Sequence, residues 1–126
     1  DGDAIVLILE ELDTMRRIQM NGTDDRAGAA RTAFGYSTGR WDGDTLEVTT
    51  VDIDWPWFDQ AGIPQTDALH LVERFTPSVD GRILNYQLTA TDPKIFTEPV
   101  VLSRIWIWVP GEVIRPYNCS WDREDL

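Results

Sequence analysis

Apolar and polar positions alternate with a period of two along most of the chain. In 69–75, Leu69, Leu71, Glu73 and Phe75 share one face, and His70, Val72 and Arg74 share the other, because successive strand side chains point to opposite sides of a sheet. The same alternation, carried by β-branched and aromatic residues that suit a pleated surface, predicts strands over Ala4–Leu12, Met15–Met20, Phe34–Trp41, Asp44–Ile53, Ala68–Pro77, Arg82–Thr91, Val100–Val109 and Glu112–Asn118. The first segment has two readings, since Ile5, Ile8, Leu12 and Met15 also fit a helical stripe.

Turn signals separate these runs. Asp1-Gly2, Asp42-Gly43 and Asp80-Gly81 each precede an apolar run, and Asn21-Gly22 and Pro110-Gly111 add two more breaks. Asp-Gly and Asn-Gly suit tight hairpins, whose central residues need positive φ. Longer linkers cover 22–33, 54–67 and 92–99; the second holds Trp55, Pro56, Trp57 and Pro64 and reads as a packed flap. The prediction is an all-β fold, an antiparallel up-and-down meander of about eight strands. Curling into a barrel or half-barrel removes or shields its edges, with a β-sandwich as the alternative. One β domain covers 1–126. Asp1-Gly2 reads as a turn whose preceding strand is missing, so native residues are expected before Asp1.

The charge balance narrows the partners. The chain has 126 residues, with 22 acidic and 11 basic side chains and a net charge of −11. That field repels nucleic acid. The longest apolar run, Ala4–Leu9, is far shorter than a membrane span, so no membrane insertion is expected. Cys119 is the only cysteine, which rules out an internal disulfide, and His70 is the only histidine, which disfavours a zinc site of the usual composition. Asp42, Asp44, Asp52, Asp54 and Asp59 lack the ligand spacing of an EF-hand, and the chain has no P-loop or dinucleotide fingerprint. No metal and no cofactor is therefore expected.

The candidate chemistry is a carboxylate, an imidazole and an aromatic set. Glu73 stands in an apolar row, where a carboxylate suits proton transfer or ligand anchoring; an ion pair with Arg16 or Arg104 is the plainer reading. His70 is the other catalytic candidate, against a hydrogen-bonded structural histidine. For ligand binding the candidates are Trp41, Trp55, Trp57, Trp106, Trp108, Tyr86 and Arg16. Trp106 and Trp108 share a face, and aromatic walls with a few polar groups suit a small-molecule pocket. Ordinary core packing uses the same residues, and Trp41 is expected to cap the core beside the Asp42-Gly43 turn.

The blocks Gly39–Thr50, "DALHLVERF" and "TATDP" resemble a widespread group of uncharacterised bacterial proteins with a Gly-Arg-Trp-[Asp/Glu]-Gly-Asp-Thr-Leu, Ala-Leu-His-x-x-Glu-Arg-Phe and Asp-Pro pattern. The similarity runs from about Met15 to Cys119 and covers Gly39, Arg40, Trp41, Gly43, Asp44, His70, Glu73, Arg74, Asp92 and Pro93. Tyr36 stands where the group often has His, and Phe96 where it often has Tyr. The resemblance implies no reaction, and it inclines the location toward the periplasm or secretion. The Gly-x-Trp start is also similar to calycin (lipocalin-like) barrels, an analogy of fold alone.

The leading expectation is a barrel that binds a small, largely apolar molecule. The alternatives are a cofactor-free isomerase, lyase or hydrolase using Glu73 or His70, and a protein-interaction or oligomerisation domain that binds another protein or pairs with a second copy as a homodimer.

Overall fold

Seven strands, taken in chain order, form one sheet that curls through 204° into a half-barrel. The computed structural model describes residues 3–22, 26 and 29–118. The strands are β1 (Ala4–Leu9), β2 (Thr14–Gln19), β3 (Tyr36–Asp42), β4 (Thr45–Val51), β5 (His70–Pro77), β6 (Ile83–Thr91) and β7 (Val100–Ile107), with one 3₁₀ turn at Glu11–Asp13. No helix among the described residues is long and apolar enough to cross a membrane. Cys119, Trp121 and the Asp1-Gly2 turn lie outside the described residues.

The first segment is a strand. Ala4 to Leu9 pair with Gln19 to Thr14 in unbroken antiparallel register, so the period-two reading prevails over the helical stripe. Two expectations need correction. Strands β2 and β3 run parallel, not antiparallel, and share only the pairs Ile18–Ser37 and Gln19–Thr38. A parallel neighbour requires a long crossover, which the 20–35 connection supplies. It docks through a Thr32–Ile53 bridge and an Asp54 N–H bond to the Thr32 carbonyl (2.8 Å). Secondly, 112–118 is not an eighth strand. Pro110 and Pro116 lack an N–H for a ladder, and Gly111 turns the chain at φ +85°. The backbone N–H groups of Arg115 and Tyr117 instead donate to the carboxylates of Glu10 (2.7 Å) and Asp13 (2.9 Å), beyond the end of β1.

The β3–β4 hairpin also differs in detail from the Asp42-Gly43 prediction. Asp42 belongs to β3 and pairs with Thr45, so the two-residue loop is Gly43-Asp44. Gly43 has φ +60° and Asp44 is not left-handed, the pattern of a loop that needs glycine only at its first central position.

The concave face holds the core: Ile18, Leu46, Val48 and Phe75, flanked by Ile5, Leu7, Met20, Leu84 and Tyr86. Gly39 makes this packing fit. It lies opposite Val48, and a Cβ there would stand 2.8 Å from Ile18 Cγ2 and 2.6 Å from Met20 Sδ. The absent side chain lets β2 close over β3. The convex face is polar, with Arg40, Glu47, Arg74 and Asp42 linked across β3, β4 and β5. Trp41 does not cap the core: at the end of β3 it is 61% exposed.

Replacing Gly39 with Ala should therefore destabilise the fold by about 1–3 kcal/mol, the usual range for overpacking. Urea denaturation checks this, and an unchanged midpoint would show that the space beneath Gly39 is not needed.

Candidate functional site

Glu73 is on the concave face of β5, as the alternation predicts, and is 4% exposed. The plainer reading of it holds, with Arg16 as the partner. Arg16 Nη2 donates to Glu73 Oε1 at 2.8 Å and Nη1 donates to Oε2 at 3.1 Å. This is the two-point geometry that suits a guanidinium and a carboxylate. Arg16 Nη2 also reaches Ser37 Oγ (3.2 Å) and Thr50 Oγ1 (3.3 Å), which are themselves hydrogen-bonded at 2.8 Å. The Tyr86 hydroxyl donates to Glu73 Oε2 at 2.7 Å. Burial, then the bond to Glu73 and its negative charge, push the Tyr86 phenol far above its ordinary pKa.

An apolar cavity of about 350 Å³ opens above this group. Leu7, Ile8 and Leu9 of β1 form one wall, with Phe75, Leu84 and Trp106 around the rest. Phe75, Tyr86 and Trp106 pack as an aromatic cluster, with Tyr86 and Trp106 centroids 4.8 Å apart and Phe75 and Trp106 stacked at 6.1 Å. The chemistry available is an apolar pocket, open to solvent on one side, with one hydrogen-bonding patch, the arrangement that binding pockets use to orient a ligand.

Of the residues singled out from the sequence, Glu73, Arg16, Tyr86 and Trp106 meet in this cavity. The others do not. His70 is exposed on the opposite face of β5, so it cannot share a proton with Glu73. Trp108 follows the end of β7 and lines a separate shallow groove at the β5–β6 turn. Trp55 and Trp57 are exposed in the flap. That flap folds on itself through Gln65, which bonds the Trp55 carbonyl at 2.7 Å, and through a Trp57–Pro64 bridge. The β1 wall and the Ser37–Thr50 hydroxyl pair were missed by sequence reasoning. The alternation of Ile5, Leu7 and Leu9 was the available signal for the wall, and nothing local marked the hydroxyls.

A second buried carboxylate, Asp92, is structural. It accepts from Thr66 N (2.7 Å), Thr66 Oγ1 (2.8 Å) and Lys94 N (3.2 Å). With the Phe58–Phe96 edge contact at 5.0 Å, it fastens the flap to the β6–β7 connection. Among the described residues no three His, Cys, Asp or Glu side chains gather as a metal-binding group. No protein-family model matches the chain, and no curated protein or solved structure matches it.

The raised Tyr86 pKa makes a titration prediction. Its neutral phenol contributes stability that is fully present below about pH 10, the ordinary tyrosine pKa, and is lost as pH rises through the elevated native value. Tyrosinate absorbance up to about pH 11, where ordinary phenols are mostly ionised, should be the same in native wild type and in Tyr86→Phe. A drop of one phenol's amplitude in the variant would show that Tyr86 titrates normally.

Proposed function

We propose that the half-barrel binds a small, largely apolar molecule in the cavity between β1 and the Phe75–Tyr86–Trp106 cluster. The observation that supports this most is the contrast within one cavity. Its walls are aliphatic and aromatic, while its polar groups are confined to the joined Arg16–Glu73–Tyr86 patch. A site built only for packing gains nothing from leaving Trp106 and Leu9 partly open to solvent, since burying such side chains is worth about 1.5–3 kcal/mol each.

Catalysis by Glu73 or His70 has less support. Both Glu73 oxygens already accept hydrogen bonds, three in all, and His70 faces away. Self-association is a second reading with one observation in its favour. β7 borders the sheet with Leu102, Ile105, Trp106 and Ile107 exposed and with Arg104 as its only charged side chain, whereas edge strands are usually blunted by several charges or by proline.

Tryptophan emission separates these readings. Neutral lipophilic ligands should change the emission saturably at low micromolar protein, and Trp106→Phe should abolish most of the change. Emission that ignores every ligand but shifts on dilution of the protein alone would replace the binding reading with self-association through β7.

A further inference from the structure

The Arg16–Glu73–Tyr86 patch that lines the cavity carries no net charge, and Arg104, the cross-strand neighbour of Tyr86, lies exposed outside the lining with Nη1 donating to the Ser103 carbonyl; this restricts what can bind there. Resting on the binding reading above, we propose that the cavity selects ligands with an uncharged oxygen head, a ketone, aldehyde, ester or alcohol on an apolar skeleton, and that Glu73 sets this selectivity by cancelling the charge of Arg16.

The hydrogen-bond inventory supports this. A guanidinium has five N–H donors. Arg16 Nη1 uses one on Glu73 Oε2, and the two on Nη2 are divided among Glu73 Oε1, Ser37 Oγ and Thr50 Oγ1. Among the described residues, the second Nη1 proton and the Nε proton have no acceptor. The Tyr86 hydroxyl spends its proton on Glu73 Oε2 and keeps lone pairs. A ligand that reaches Arg16 has these unspent N–H donors to bond, with a phenol oxygen beside a carboxylate already holding three bonds.

Each head-group class fares differently against this set. A neutral oxygen accepts from Arg16 and disturbs nothing. A carboxylate that reached Arg16 would lie beside Glu73, itself 4% exposed, and like charges next to a buried group repel more than they do in open water. An ammonium would face Arg16 itself and find few acceptors to solvate it. A plain hydrocarbon would cover the free N–H groups without satisfying them, which costs binding. A single charge, that of Glu73, separates this neutral site from an anion site. Removing it while keeping the side chain's shape leaves Arg16 uncompensated in the cavity wall.

The test is a ten-carbon series, decan-2-one, decan-1-ol, decanoate, decylammonium and decane, titrated by Trp emission. About 0.5 M salt suppresses long-range attraction or repulsion by the net charge of −11. The ketone and alcohol should bind at least about tenfold more tightly than decanoate, decylammonium or decane, the effect of roughly one well-made hydrogen bond. In Glu73→Gln the order should invert, decanoate becoming the tightest ligand and raising the variant's melting temperature most. Should that variant be unfolded at the assay temperature, the wild-type series alone decides. Decanoate or decane matching decan-2-one on wild type overturns the head-group inference and leaves apolar binding intact, while silence from all five overturns both.

Discussion

Arg16 and Glu73 stand three strands apart in sheet order, on β2 and β5, and still meet in a two-point ion pair. In a flat sheet three spacings of about 4.8 Å separate such positions, farther than an arginine side chain reaches. The pair therefore requires the curl, and the curl in turn encloses the pair. Ser37 on β3 and Thr50 on β4 fill the path between them and bond the same guanidinium. Every concave strand from β2 to β5 is thereby tied to one cation. Gly39 supplies the steric half of the same constraint by leaving room for Ile18 and Met20 to close over β3.

Such a pair is a poor source of net stability, because desolvating two charges offsets most of their attraction. Its value here is specificity. Glu73 has a single well-satisfied position, reached only when β2 folds back over the sheet, and any flatter arrangement leaves a buried carboxylate unpaired. Breaking such a pair by removing one partner costs about 3–5 kcal/mol, a large share of an ordinary domain's stability. The same requirement creates the cavity. Once β2 is drawn over β5, β1 follows in register with β2, and Leu7 and Leu9 come to face Trp106 across the polar patch.

Local patterning made much of this legible. The alternation in β5 placed Glu73 inward and His70 outward, and Arg16 stood among the expected partners of Glu73 because it too lies in a strand. The Asp-Gly signals located the β3–β4 and β5–β6 turns, and Pro110-Gly111 the turn that follows β7. What stayed hidden depends on distant packing. The parallel joint between β2 and β3 comes with a crossover whose Thr32 pairs with Ile53, beyond the end of β4, and no residue within β2 or β3 announces it. The segment after Pro110 has apolar residues enough for a strand, but its backbone bonds go to Glu10 and Asp13, about a hundred residues earlier. Trp41 and Trp108 followed the strand pattern and still ended outside the cavity, because alternation assigns a face and not a depth. Ser37 and Thr50 became site residues only through the curl.

The most direct test of the Arg16–Glu73 constraint is a double-mutant cycle with Arg16→Met, Glu73→Leu and the double variant, read as urea-unfolding free energies. A coupling above about 1.5 kcal/mol, with the double variant more stable than the Glu73→Leu single variant, is predicted, because each single change strands a buried charge or its partners. Additive effects, with coupling indistinguishable from zero, would contradict the claim that this pair fixes the curled sheet and the cavity it encloses.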